Sequence, residues 1–209
     1  TQNESSSALT KSQWYRLENV REALQAGQWY LDRATGVLTC APLPGEEPNN
    51  RRVIAPRLRQ VVEFRGDVAK SLFVEHITLR GLTFAHTAWN TPLNGFRDGQ
   101  AGCLEDAAVM AANARHCALE RCIVRHTGNH GVQLGAGCSF CRVEGCEFFD
   151  CGMGGVKIGT FAYPDEPDAR QWAANCTVRD TLVTGGGRIY PGGVGLLVGH
   201  ANHCTVEQN

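Results

Sequence analysis

Apolar residues recur along the second half of the chain with the spacing of short β-strands. From Cys117 to Gly135 they alternate in twos and threes, and the same spacing follows in the next segment. No stretch carries the longer, helical spacing that a crossover helix would need. The pattern therefore predicts three short strands per repeat, with glycine residues at the corners between them.

The repeat itself can be aligned directly. Cys117–Gly135 and Cys141–Gly159 match without a gap at an offset of 24 residues, and partial copies begin at Ile77, Cys176 and Cys204. Three-strand repeats of this length stack as successive coils of a solenoid, each coil burying its apolar face against its neighbours. We therefore predict an all-β fold, a right-handed parallel β-helix.

Stacked coils place equivalent residues in columns along the axis, about 4.8 Å apart. The predicted columns are Cys117, Cys141, Cys176 and Cys204; Leu79, Leu119, Val143, Val178 and Val206; and Leu82, Cys122, Cys146 and Thr181. Most of the cysteines are then buried thiols that act as small hydrophobes. A disulfide between Cys117 and Cys141 stays open, because the coil spacing lies within the Cα range of a bridge. No metal site is predicted, since the only C-x2-C lacks a partner pair.

The first part of the chain differs from the coils. We interpret residues 1–60 as a lead-in and residues 61–209 as the coils, truncated at the C-terminus as a piece of a longer protein. The predicted elements of the lead-in are a short helix Leu17–Leu24 closed by Gly27, a hairpin Gln28–Cys40, and strands at Val53–Ala55 and Val61–Phe64 that lead into the first coil.

Charge and hydropathy exclude several partners. The chain carries 20 Lys and Arg against 21 Asp and Glu, a net charge of -1, so no strong field favours nucleic acid. No run approaches the ~18 apolar residues of a membrane span, and the polar start is not a signal peptide. The sequence predicts no nucleic-acid partner, no membrane span and no cofactor, and it leaves the oligomeric state undetermined.

Insertions in the repeat indicate where a binding site lies. Relative to a coil of 24, sixteen residues are added between Thr87 and Ala107, eleven between Gly159 and Cys176, and a net four between Gly185 and Gly195. The first and third precede the Gly-Val-x-Leu strand and the second follows it. Because insertions in solenoids usually map to the binding face, we predict a groove over the outer face of this strand.

The groove combines aromatic and polar side chains. The predicted floor is Val109, Gln133, Lys157 and Leu197, and the predicted walls carry Trp89, Phe96, Phe161, Tyr163, Trp172 and Tyr190. A sugar chain suits such a surface, since its C–H faces stack on rings while its hydroxyls need hydrogen bonds. The predicted substrate-binding residues are Trp89, Gln133, His130, Tyr163 and Trp172. We expect the loops 88–106, 160–172 and 185–193 to meet over Gln133 and Lys157.

Hydrolysis of a glycosidic bond needs two carboxyl groups, one ionised and one protonated. The acids near the groove are Asp98, Glu105, Asp106, Asp150, Asp165, Glu166 and Asp168. Asp150 is of most interest, because its column equivalents are the titratable residues His86 and His126. Its alternative role is that of a corner residue that caps backbone N–H groups. The predicted catalytic residues are Asp150, Lys157, Arg188, Tyr190 and His126.

Several motifs resemble those of a known enzyme family. They are Leu17-Glu-Asn-Val-Arg-Glu-Ala-Leu24, Gly27-Gln-Trp-Tyr-Leu-Asp32, Arg80-Gly-Leu-Thr-Phe84, Gly154-Gly-Val-Lys-Ile-Gly159 and Gly186-Gly-Arg-Ile-Tyr190. From about Trp14 the chain is similar to bacterial β-helix proteins of glycoside hydrolase family 141. The resemblance implies action on α-L-fucosyl or xylan-type linkages, a pair of catalytic acids, and export to the periplasm, the cell surface or the medium. Phe149 and Pro191 depart from the family pattern, in which His is common at both positions.

Two other functions remain open at the level of sequence. A polysaccharide lyase of the same architecture would use Lys157 or Arg188 as a base, with Ca²⁺ at an acidic site. A non-catalytic carbohydrate-binding or adhesive β-helix would need the aromatic residues and not the acids. All three functions have a polysaccharide or an oligosaccharide as the partner.

Overall fold

The computed structural model describes residues 18–47, 49, 52–90, 99–161 and 168–209. The chain forms two compact units, Thr1–Val53 and Ile54–Asn209. In the first unit, β1 (Trp29–Leu31) and β2 (Leu38–Cys40) pair antiparallel and confirm the predicted hairpin. The Asp32 carboxylate accepts hydrogen bonds from the N–H groups of Ala34 and Thr35, which fixes the turn between the two strands.

The regular secondary structure of the second unit is almost entirely short strands. In chain order they are β3 (Val62–Arg65), β4 (Val74–Glu75), β5 (Thr78–Arg80), β6 (Thr83–Ala85), β7 (Ala107–Ala112), β8 (Ala114–Arg115), β9 (Ala118–Glu120), β10 (Ile123–Thr127), β11 (His130–Leu134), β12 (Arg142–Glu144), β13 (Glu147–Cys151), β14 (Val156–Ile158), β15 (Ala173–Ala174), β16 (Thr177–Arg179), β17 (Leu182–Thr184), β18 (Leu196–Val198), β19 (Ala201–Asn202) and β20 (Thr205–Glu207). The described residues also form 3₁₀ turns at Arg21–Ala23, Gln100–Gly102 and Ala169–Gln171.

Three parallel sheets run through the coils. The first has the order β20-β16-β12-β9-β5, the second β17-β13-β10-β6, and the third β18-β14-β11-β7-β3. Each coil thus contributes one strand to each sheet, which is the arrangement of a parallel β-helix. The third sheet, called the central sheet below, carries the predicted groove.

The register confirms the predicted repeat. Leu119 pairs with Val143, and Val132 pairs with Val156, so the offset of 24 residues holds in different sheets. The whole column from Leu79 to Val206 is in register. In the cysteine column, Cys117, Cys141 and Cys176 are buried and Cys204 is partly exposed. All ten cysteines are free thiols, so the structure contains no bridge between Cys117 and Cys141.

Residues at the ends of the strands, where the coil turns, adopt left-handed backbone conformations in columns. One such column contains His86, His126, Asp150 and Gly185, each with φ between 50° and 62°. Residues with a Cβ pay roughly 1–2 kcal/mol in this region, and His, Asn and Asp are enriched there because their side chains bond locally. The repeated corner therefore explains why polar residues recur at a fixed point of each coil.

Two predicted elements differ from the structure. The segment expected to form a helix contains only the 3₁₀ turn Arg21–Ala23, and Leu17 lies outside the described residues. Asn19 has φ 57°, and its side chain bonds both the N–H and the C=O of Leu31, which ties this segment to the hairpin and not to a helix. Val53–Ala55 is not a strand, whereas the second leading strand is present as β3.

Candidate functional site

Asp150 lies near the end of β13, where the coil turns toward β14, and its side chain meets the imidazole of His126 and the guanidinium of Arg188. Its Oδ2 is 2.6 Å from Nδ1 of His126, the equivalent residue of the preceding coil. Its Oδ1 forms an ion pair with Nε of Arg188 at 3.1 Å. The His126 ring stacks in turn on His86, with centroids 5.0 Å apart. The predicted column of two histidines and one aspartate is therefore confirmed, and it is open to solvent, since the Asp150 side chain is 40% exposed.

The loop that carries Arg188 and Tyr190 is held against the corner by backbone hydrogen bonds. The N–H of Arg188 donates to the carbonyl of Cys151, and the N–H of Tyr190 donates to that of Gly152. This close approach requires glycine, because a Cβ on Gly154 would collide with the carbonyl oxygen of Val194, where the loop rejoins the coil. The glycine-rich segment after Asp150 thus serves the docking of the loop.

Aromatic side chains extend the corner. The rings of Trp89 and Tyr190 meet edge to face, with centroids 5.1 Å apart. The guanidinium of Arg59 lies 5.3 Å from the centre of the Trp89 ring and forms ion pairs with Glu105 at 3.2 Å and Asp106 at 3.4 Å. A series of contacts therefore runs from Tyr190 through Trp89 and Arg59 to two further carboxylates.

Arg59 is the residue of this cluster that the sequence analysis missed. It precedes the first complete coil, so no column position singles it out. The charges of the sequence could have indicated it. Two adjacent acids, Glu105 and Asp106, follow Gly102, and neighbouring carboxylates favour a cationic side chain close to them.

Lys157 is not a surface residue of the groove, contrary to the prediction. Its side chain is buried, and its ammonium donates to the carbonyl oxygens of Cys103 and Glu105. The loop that was expected to wall the groove instead covers this part of its floor. A buried ammonium needs such acceptors, and the backbone of the loop supplies them.

His130 is buried as well, and it cannot bind substrate from this position. Its Nε2 lies 2.9 Å from the carbonyl of Gly102, and its Nδ1 accepts the N–H of Gly154. Burial lowers the pKa of His130 to about 4, and the nearby charge of Lys157 adds to this effect. The imidazole is therefore neutral, with its proton on Nε2, and it links the loop to the corner.

The predicted floor is wrong by one residue in one coil. Met110, and not Val109, is in register with Gln133, Lys157 and Leu197, while Val109 pairs with Val132 and belongs to the core. Gln133 is half-buried on the outer face.

The remaining predicted residues do not join the corner. Trp172 follows β14 of the central sheet, so it lies at the carboxyl ends of the strands, whereas the Asp150 corner lies at their amino ends. Its ring is 6.4 Å from that of His200. The loops therefore do not all meet over Gln133 and Lys157 in the described part of the chain. Phe96, Asp98, Tyr163, Asp165 and Glu166 lie outside the described residues.

In the part of the chain that the structure describes, no three His, Cys, Asp or Glu side chains are placed to hold a metal ion. No helix in the described residues is both long and apolar enough to cross a membrane.

The parallel coils and the glycine-rich corner define the chain as a β-helix protein. Residues 71–209 match the family described as right handed beta helix region, and the chain belongs to this family. A solved structure named "Glycoside hydrolase" superimposes on it with a TM-score of 0.82 at 26% sequence identity. The match covers 91% of this chain and 38% of that one, so the chain spans well under half the length of this relative. No curated protein matches the sequence.

Proposed function

We propose that the protein is a glycoside hydrolase and that its substrate binds at the Asp150 corner. The observation that carries the proposal is the solvent-accessible Asp150 carboxylate between His126 and Arg188, beside the Trp89–Tyr190 pair. The similarity to a structure named as a glycoside hydrolase supports the same reaction class. Fold alone does not define a function, so the proposal depends on this group of side chains.

Each residue of the corner has a role in this mechanism. Asp150, opposite the guanidinium of Arg188, is suited to act as the ionised carboxylate, either as a base for water or as a nucleophile. His126 orients it through Nδ1, and Tyr190 and Trp89 provide apolar faces for a sugar ring. Glu105 and Asp106 both form ion pairs with Arg59, which favours their ionised forms and suits them to accept hydrogen bonds from sugar hydroxyls.

We also propose a class of substrate and a location for the protein. The sequence resemblance supports α-L-fucosyl or xylan-type linkages, and a polysaccharide substrate supports a periplasmic, cell-surface or secreted location. A lyase that uses Lys157 as its base is disfavoured, because a side chain beneath the 99–106 loop does not reach a substrate.

Asp150→Asn in the intact protein that carries this chain tests the proposal. We expect kcat on fucosylated or xylan-type oligosaccharides to fall by at least ~100-fold, since a lost base or nucleophile costs that much. Asp180→Asn is the matched control, because Asp180 is an exposed corner residue with the same left-handed backbone (φ 50°) in another column. Its kcat and melting temperature should equal those of the wild type.

The products distinguish the reaction classes. New reducing ends without unsaturated sugars support hydrolysis, whereas unsaturated products identify a lyase and contradict the proposal. Equal turnover by the wild type and Asp150→Asn would reduce Asp150 to a structural corner residue.

A further inference from the structure

A second concave site lies at the carboxyl ends of the strands of the central sheet. The Asp150 corner lies at the opposite, amino ends of these strands. A cavity of about 440 Å³ lies among Phe73, Arg115, Ser139 and Trp172, with Ser71 at its rim. It adjoins a cavity of about 600 Å³, and Val68 and Arg170 line both. Volumes of this size hold one or two sugar rings each.

The chemistry of the smaller cavity is defined by Arg115. Its guanidinium stacks on the Phe73 ring, with Cζ 3.3 Å from the ring centre. Stacking fixes the plane of the guanidinium and leaves its N–H edges free to donate. Among the described residues Arg115 forms no ion pair, although Glu75 is its neighbour in register. A half-buried cation without a counter-ion favours an anionic ligand.

Other side chains of the cavity suit the rest of a sugar. The indole of Trp172 offers an apolar face, and the hydroxyls of Ser71 and Ser139 have no hydrogen bond to another described residue. Arg170 is already engaged, because Asp168 accepts from its guanidinium at 2.7 Å and 3.0 Å. Arg115 is therefore the cation at this site that is available for a ligand.

We propose that this cavity is a separate binding site for an acidic sugar, with the uronate carboxylate paired to Arg115 and the ring stacked on Trp172. A carboxylate is planar and matches two N–H groups of the guanidinium, and a neutral sugar would leave that cation unpaired. The site lies outside the Asp150 corner and needs none of its residues. It binds part of an acidic polysaccharide without cleaving it.

Calorimetric titration of the intact protein with tri-galacturonate, with xylotriose as the neutral comparison, tests this site. We expect tri-galacturonate to bind more tightly than xylotriose and to bind less tightly as salt rises. Arg115→Gln should weaken tri-galacturonate by at least about tenfold, since the lost contact is a charge-assisted hydrogen bond. Arg121→Gln, which removes an exposed positive charge from another corner, should change nothing.

Further variants keep the test decisive. Ser139→Ala removes only a hydroxyl, so it leaves the coil intact and should weaken tri-galacturonate several-fold if Arg115→Gln does not fold. Because Asp165 and Glu166 are near Trp172 in the sequence, tri-galacturonate binding that appears only after Asp165→Asn and Glu166→Gln would overturn the proposal. Equal affinity in the wild type and Arg115→Gln, or binding of a sulfated trisaccharide alone, would also overturn it. Turnover by Arg115→Gln should equal that of the wild type, so this result is independent of the test on Asp150.

Discussion

His130 and Lys157 show what buried polar side chains do beneath the 99–106 loop. Both are fully buried, and both donate to backbone carbonyls of that loop, at Gly102, Cys103 and Glu105. Each of these buried donors therefore bonds a backbone carbonyl of the loop and not water. These two residues fix the loop that carries Glu105 and Asp106, so their contribution to the site is structural.

The low pKa of His130 makes stability depend on pH. Its folded pKa of about 4 lies below the ordinary value of 6.5, so the unfolded chain takes up the proton first. The stabilisation is complete above pH 6.5 and declines as the pH falls toward 4. We expect the free energy of unfolding to drop by about 2 kcal/mol from pH 7.5 to pH 5 through this group, measured by urea titration.

Substitution of His130 isolates its contribution to the pH dependence of the free energy of unfolding. His130→Gln should remove most of the pH dependence, whereas His203→Gln, at an exposed corner, should leave it unchanged. An identical pH slope in the wild type and His130→Gln would contradict the assignment of this effect to the buried imidazole.

Among single residues, the position of Asp150 could be predicted and its neighbours only in part. The column of His86, His126 and Asp150 follows from the repeat, and the structure contains it. Arg59 belongs to no column, so its ion pairs with Glu105 and Asp106 were not accessible to the same reasoning. The repeat predicts which residues of successive coils stack on one another. It does not predict which loop a residue outside the coils will contact.

Among the elements, the inward column from Leu79 to Val206 carries the stability of the coils. Val143→Asp places a charge without a partner in the core and should cost more than about 3 kcal/mol. Because each coil packs only on its neighbours, adjacent coils should unfold together with it, and Leu119→Asp should act in the same way. Urea unfolding, with hydrogen exchange on the neighbouring strands, measures both effects.

Thr177→Asp is the matched control for this prediction. It places the same charge on the strand next to Val143, one residue away from the inward column, where Thr177 is partly exposed and in register with Arg142, and it should cost about 1 kcal/mol or less. A soluble, protease-resistant Val143→Asp protein as stable as Thr177→Asp would contradict the register.

The one error of register, Val109 for Met110, has a physical cause. The strand β7 has the sequence Ala-Ala-Val-Met-Ala-Ala, which is apolar on both faces, so alternation cannot show which residue points inward. The strand also follows the longest insertion, so its register cannot be obtained by adding 24 residues to the preceding coil. A slip of one residue moves every side chain of a strand to the opposite face.

On the scale of the whole β-helix, the sequence predicted the architecture better than the arrangement of loops. Strands, columns and the positions of insertions follow from local spacing, and the structure agrees with them. The covering of Lys157 by the 99–106 loop and the position of Trp172 at the opposite edge depend on how insertions fold over the coils. The two edges of the central sheet therefore carry two different groups of side chains where one continuous groove was expected.

The most direct test of the proposed hydrolase is a crystal structure of the intact Asp150→Asn protein with an uncleaved substrate oligosaccharide. The account predicts a sugar ring against Trp89 and Tyr190, with the scissile glycosidic bond next to residue 150 and a second carboxyl group across that bond. A substrate bound in coils outside this chain, with the Asp150 corner empty, would contradict it.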